Sequence, residues 1–190
     1  MDGEAVAGIE QAFGTLEVLS LHLDSGPLAT EWVAWVPREA NKAADWLATR
    51  ALNSEVDAWY WHRSWRRYQD SDVVVLSDAG VRCQEDGVVA IGLGWVMLQR
   101  ESKQVIAAAS WILRAEGGYG AEDVNRWELR AALAGMGALV FLRSGRVGEV
   151  WQGGAVPGVV LTAAERRRIK ELACTTRRDL EGRGEGERQE

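Results

Sequence analysis

The chain has 190 residues, 47% of them hydrophobic, and a formal net charge of −6, which suits one well-buried core better than two and argues against wholesale electrostatic binding of nucleic acid. Its two cysteines, Cys83 and Cys174, form no C-x-x-C pair, so neither a disulfide framework nor a zinc knuckle is indicated and a reducing, intracellular setting is expected. Only His22 and His62 are available, far apart, so histidine-rich metal sites and Ser/His/Asp catalysis are disfavoured and carboxylates would have to carry any chemistry. The N-terminus lacks a basic and an apolar leader region, and no run reaches the roughly 18 apolar residues of a membrane span. A soluble protein without a membrane partner is expected.

In chain order, Val6, Ile9, Phe13 and Leu16 recur at helical spacing within residues 4–23, and Asp24–Pro27 supplies a stop. Thr30–Val36 reads as a short strand ending at Pro37. Asn41 is a plausible N-cap for a helix with the apolar face Ala44, Leu47, Ala48, Ala51 and Leu52, and Asp45 falls in its first turn. The connector "DAWYWHRSWRRYQ" interleaves Trp59, Trp61, Trp65 and Tyr68 with Arg63, Arg66 and Arg67. Such a segment can stack bases and hold phosphates, or dock its aromatic rings on the sheet while the arginines face water.

"DVVVLSDAG" (72–80) is apolar, Val-rich and too short for a helix, so it reads as a central strand buried on both faces and ending at Asp78. Residues 87–99 and 103–114 follow as strands joined by a tight turn, completing an antiparallel unit of three. Beyond a Gly-rich loop, "NRWELRAALAGMGALVFL" carries a helical stripe of Leu129, Leu133, Met136 and Val140, with Glu128 near its start. "GVVLT" at 158–162 reads as a further strand, and Thr162 and Glu165 have the spacing of a capping box. The arginine run 166–168 suits a solvated helix face. After Leu180 no apolar residue remains, so 176–190 is expected to be a disordered tail.

Asp45 and Glu128 thus each sit at a helix start beside an apolar stripe, and Asp78 at a strand end, where open α/β sheets collect ligands. Clustered carboxylates tolerate proximity mainly when a divalent cation neutralises them, and Mg²⁺ takes hard oxygen ligands.

These residues carry a family resemblance. "VPREANKAADWLA" resembles the last strand and helix of ribonuclease H domains of the retroelement and plant type, "VVVLSDAG" their first strand, and "NRWELRAAL" the start of their first helix. The resemblance implies Asp78, Glu128 and Asp45 as metal ligands and catalytic residues, and Asn125 as a polar position near the RNA strand. It implies an α/β fold, a ribonuclease H-like mixed sheet flanked by helices, in permuted element order: residues 1–53 match the family's C-terminal part and 72–142 its N-terminal part, within one domain over 1–175. A fourth carboxylate is missing from its place, since no Asp occurs between Asp123 and Asp179. "GVVLT" is the expected filler beside the Asp78 strand, with Thr162 at the vacant ligand position; otherwise the strand lies upstream of Met1.

The activity this implies is hydrolysis of the RNA strand of an RNA–DNA hybrid by a ribonuclease H-type endonuclease using two Mg²⁺ or Mn²⁺ ions about 4 Å apart. Arg63, Arg66 and Arg67 are candidate substrate contacts, and the setting implied is a larger reverse transcriptase polyprotein of a retrotransposon. The alternative is a non-catalytic nucleic-acid-binding or scaffold module of the same fold.

Overall fold

The computed structural model describes residues 36, 38–83, 88–116, 124–147 and 158–184, with the backbone alone for 115–116 and 175–184. All but residue 36 belong to one unit, Pro37–Glu190. The helix expected at 4–23 and the strand at Thr30–Val36 lie outside the described residues, so the expected single domain over 1–175 reaches beyond them.

A 3-10 turn, Arg38–Ala40, leads into helix α1, Lys42–Ser54. Strand β1, Ala58–Trp61, and a second 3-10 turn, Trp65–Tyr68, precede the meander β2 (Val73–Cys83), β3 (Val88–Gln99) and β4 (Val105–Glu116). Helix α2, Val124–Ser144, the two-residue strand β5, Val159–Val160, and helix α3, Ala163–Gly184, complete the chain order. The five strands form one mixed sheet in the order β2-β3-β4-β1-β5. Every pairing is antiparallel except that of β5 with β1. The class is α/β, a mixed sheet flanked by helices.

Side chains alternate across a strand, and the first face of the meander takes α1 and α3 while the second takes α2. On the first face Leu76, Val96 and Leu98 pack with Ala43 and Leu47 of α1 and Ile169 of α3. On the second, Val75, Trp95 and Met97 pack with Ala138 and Leu142 of α2, and Ile91, Leu93 and Ala79 with Trp127 and Ala131. The alanine-rich face of α1 descends onto two glycines of β3. A Cβ at Gly94 would lie 2.6 Å from Ala48 N and from Leu47 Cβ, and one at Gly92 would lie 2.2 Å from Ala48 O. Small residues on both partners therefore set the height of α1 above the sheet, and with it the height of Asp45.

Several expectations change. Ala58–Trp61 is a strand bonded to β4 and β5, not part of a linker; only four residues long, with three aromatic residues in a row after Ala58, it offers too little alternation to be read from its sequence. The aromatic rings of the connector do dock, since Trp61, Trp65 and Tyr68 pack on the second-face core, while Arg63, Arg66 and Arg67 are exposed. Among the described residues the strand bearing Asp78 lies at one edge of the sheet and not at its centre. Its apolar run reflects helices over both faces, which composition cannot distinguish from strands on both sides. The buried side of α2 is Trp127, Ala131, Gly135, Ala138 and Leu142, while Leu129 of the expected stripe is 59% exposed. Close approach selects the small residues: a Cβ at Gly135 would lie 2.6 Å from Val75 Cγ1. Finally, α3 runs to Gly184, into the segment expected to be a tail; Arg, Glu and Leu are good helix formers and extend a helix already nucleated by packing.

Candidate functional site

Alternate residues of an edge strand turn their backbone N–H and C=O away from the neighbouring strand and leave them open. On β2 two such groups are met by side chains around Asp78. Asn41 Nδ2 donates to Ser77 O at 2.9 Å, and Ala79 N donates to Asp78 Oδ1 at 3.0 Å. Asn41 precedes α1 but makes no side-chain cap. Its amide ties the start of the helix to the strand, one residue before the central carboxylate.

Asp78 lies on the α1 face. It pairs with Gly94 across the ladder, and the missing Cβ of Gly94 would touch Ala44, Leu47 and Ala48. Asp45 follows Ala44 in the first turn of α1. Arg38, in the 3-10 turn before the helix, donates from Nη2 to Asp45 Oδ1 at 3.0 Å; the arginine side chain is 84% exposed and the carboxylate 35%. Partial burial pushes the Asp78 carboxyl up to about 6. The bond from Ala79 N opposes that rise, the negative charges of Asp45 and Glu128 add to it, and Arg38 lowers it slightly.

Glu128 comes from the other side of the sheet, exposed in the first turns of α2. Because β2 is an edge, a group above it and a group below it can both reach round to Asp78. Asn125, also exposed, precedes Glu128 by one helical turn and shares its face. Of the three carboxylates foreseen from the sequence, Asp45 and Glu128 are therefore each within electrostatic reach of Asp78. They do not close to ligand spacing: among the described residues no group of three or more His, Cys, Asp or Glu side chains is arranged to hold a metal ion.

Two other expected contributors lie elsewhere. Arg143, near the end of α2, donates to Gln69 O and, at 2.8 Å, to Ser71 O, so the segment carrying Arg63, Arg66 and Arg67 crosses near the far end of that helix. At 1.5 Å per residue that end is about 22 Å from Glu128. Thr162 is not a filler beside Asp78. It follows β5, which pairs with β1 at the opposite edge, and its hydroxyl receives Glu165 N at 3.2 Å while Glu165 Oε2 accepts from Thr162 N at 2.7 Å. That is the capping box its spacing implied. Gly158 dictates the placement: with φ +119° and Asp57 O only 2.3 Å from any Cβ, it lets β5 bond to β1.

Arg38 was not singled out from the sequence, nor was the tie from Asn41 to Ser77. Their signal is faint, an Arg and an Asn flanking a helix start, because each acts on a residue brought near by folding. Comparison of the chain with models of known families, with curated proteins and with solved structures found no match.

Proposed function

We propose that this chain is a ribonuclease H-like domain, with its elements in permuted order, that hydrolyses the RNA strand of RNA–DNA hybrids. One observation carries the reading. Asp78 is partly buried on the outermost described strand, and burial first, then the charges of Asp45 and Glu128 from opposite faces, raise its proton affinity, a cost that a divalent cation would relieve. The donor chemistry, hard carboxylate oxygens partly exposed to water, fits Mg²⁺ or Mn²⁺, with Asp78, Glu128 and Asp45 as the residues to hold it. Bound there, such ions would supply an activated water and charge neutralisation for in-line displacement at phosphorus. The chain's part is positional. Asn41 and Ala79 hold Asp78 and the start of α1 in register, α1 holds Asp45 over the edge, and Asn125 is placed to meet the substrate strand.

The test is cleavage of a labelled hybrid with Mn²⁺ or Mg²⁺, comparing the native chain with Asp78→Asn, which keeps the shape and removes the charge. The substitution should lower the rate by about a thousandfold or more, with the fold intact by circular dichroism. Cleavage that survives it excludes this mechanism. A second reading, a non-catalytic nucleic-acid-binding module, is favoured by the ion pair of Arg38 with Asp45 and by the open spacing of the carboxylates. Binding of the hybrid without metal-dependent cleavage would select it.

A further inference from the structure

Around the end of β1 four arginines gather beside aromatic rings. Arg66 lies 5.0 Å from the Trp65 ring and Arg166 lies 4.6 Å from the Tyr60 ring, while His62 and Tyr68 meet edge to face at 5.3 Å. Arg63 and Arg67 flank them in the same turn, and both, like Arg66, are exposed. Among the described residues none of the four is in an ion pair, nor are Arg82, Arg126, Arg130, Arg143 and Arg167, whereas Arg38, Arg50, Arg100, Arg114 and Arg168 have carboxylate partners. In a chain of net charge −6, arginines have acidic partners to find, and a cluster that keeps none is spending electrostatic repulsion.

The field of the cluster is visible on its neighbours. The His62 imidazole is held below its ordinary value, by burial first and then by Arg67 and Arg166. The Tyr60 phenol is raised by burial, with Arg166 and Arg63 pulling it down. Arg166 lies over the ring of Tyr60, three residues before Arg63 in the chain, so arginines from two elements far apart in sequence meet at the end of β1. The backbone beneath them is anchored: His62 N donates to Ile106 O at 2.7 Å, Ser64 N to His62 Nδ1 at 3.1 Å, and Arg166 Nη1 to Leu161 O at 2.8 Å.

We infer that Arg63, Arg66, Arg67 and Arg166 form a docking surface for a nucleic-acid phosphate backbone, separate from the carboxylate edge and placed at the other end of the sheet. Guanidinium forks match phosphate oxygens, and rings beneath them hold the planes in place. The choice of a nucleic acid over an acidic protein rests on the ribonuclease reading above. With Glu128 about 22 Å along α2 from the helix end that meets this segment, one duplex can lie across both, gripped here and cut there.

The test separates the two claims by leaving metal out of the first measurement. In chelator, binding of a labelled hybrid is followed by fluorescence anisotropy from about 50 to 200 mM salt, for the native chain and for Arg63→Ala/Arg66→Ala/Arg67→Ala. The triple variant should bind about tenfold or more weakly, with a salt slope shallower by about two to three, and keep its thermal melt. A double charge swap, Arg63→Glu/Arg67→Glu, should bind more weakly still and guards against a folding artefact in the first. Unchanged affinity in both variants overturns the inference, as does a native chain that binds no hybrid at low salt, or one that binds polyglutamate as well as the hybrid. Intact, arginine-dependent binding with no cleavage when Mn²⁺ is added upholds this surface and overturns the catalytic reading alone.

Discussion

At one edge of the sheet, beside β2, Asp78 is burdened by two further carboxylates and relieved only by an exposed arginine and one backbone N–H. At the other edge, near β1 and β5, Arg50 and Glu165 form a pair at 2.5 Å with side chains 12% and 22% exposed. These two largely buried charges answer each other. Arg50 also donates to Ser110 Oγ and Val56 O, and Glu165 accepts from Thr162 and is held below its ordinary value by those bonds against the cost of burial. The satisfied network ties α1, α3 and β4 together and serves stability. The unsatisfied one costs stability, and unbalanced charge in a positioned, water-accessible place is what a catalytic or cation site requires.

The contrast is broken most severely at the satisfied edge. Glu165→Ala leaves Arg50 nearly buried without its partner and removes the capping box, and should cost about 3 kcal/mol in urea unfolding. Gly94→Ala comes next. Its methyl group would drive α1 off the sheet, at about 2 kcal/mol, and would move Asp45 away from Asp78, so that NMR should show the Asp78 carboxyl titrating nearer the ordinary aspartate range.

Asp78→Asn should work the other way. The folded chain holds the Asp78 proton more tightly than the unfolded chain does, so stability is full below the ordinary aspartate range and is lost as pH rises through about 6. Removing the charge should raise Tm at pH 8 by about 2–4 °C, water screening part of the effect, and leave it unchanged at pH 4. Glu165 carries the opposite sign: its contribution is present above the ordinary glutamate range and lost as pH falls through its lowered value. Smallest of all, Arg38→Ala should leave the neutral-pH urea midpoint where it is, because the side chain is a surface group. It should lift the Asp78 titration slightly further, measurable by NMR. A fall would show that Arg38 is not the group relieving Asp78.

Much of the first edge was legible beforehand because its clues are local. Apolar runs and periodicity gave the meander and the two helices, and Asp45 and Glu128 lie near helix starts as expected, whereas Asp78, expected at a strand end, lies in the middle of β2 because pairing with β3 carries the strand on to Cys83. Their approach in space could be expected from the resemblance, yet the means of approach could not. It depends on Gly92 and Gly94 meeting the alanines of α1, a contact between segments more than forty residues apart. The second edge was read least well. Ala58–Trp61 has no usable period, and β5 is two residues long.

By itself the sequence determined the local structure: the apolar runs of β3 and β4, the position of α1 after Asn41, the capping box of Thr162 and Glu165, and the limits that charge and histidine count place on chemistry. Tertiary structure alone decided which strand is an edge, because strand order depends on hydrogen bonds between segments whose residues carry no label for their partners. It also decided which charges are answered. Arg50 finds Glu165 across 115 residues, while Arg63, Arg66 and Arg67 find no carboxylate among the described residues. Electrostatic energy falls with distance in space and is indifferent to distance along the chain.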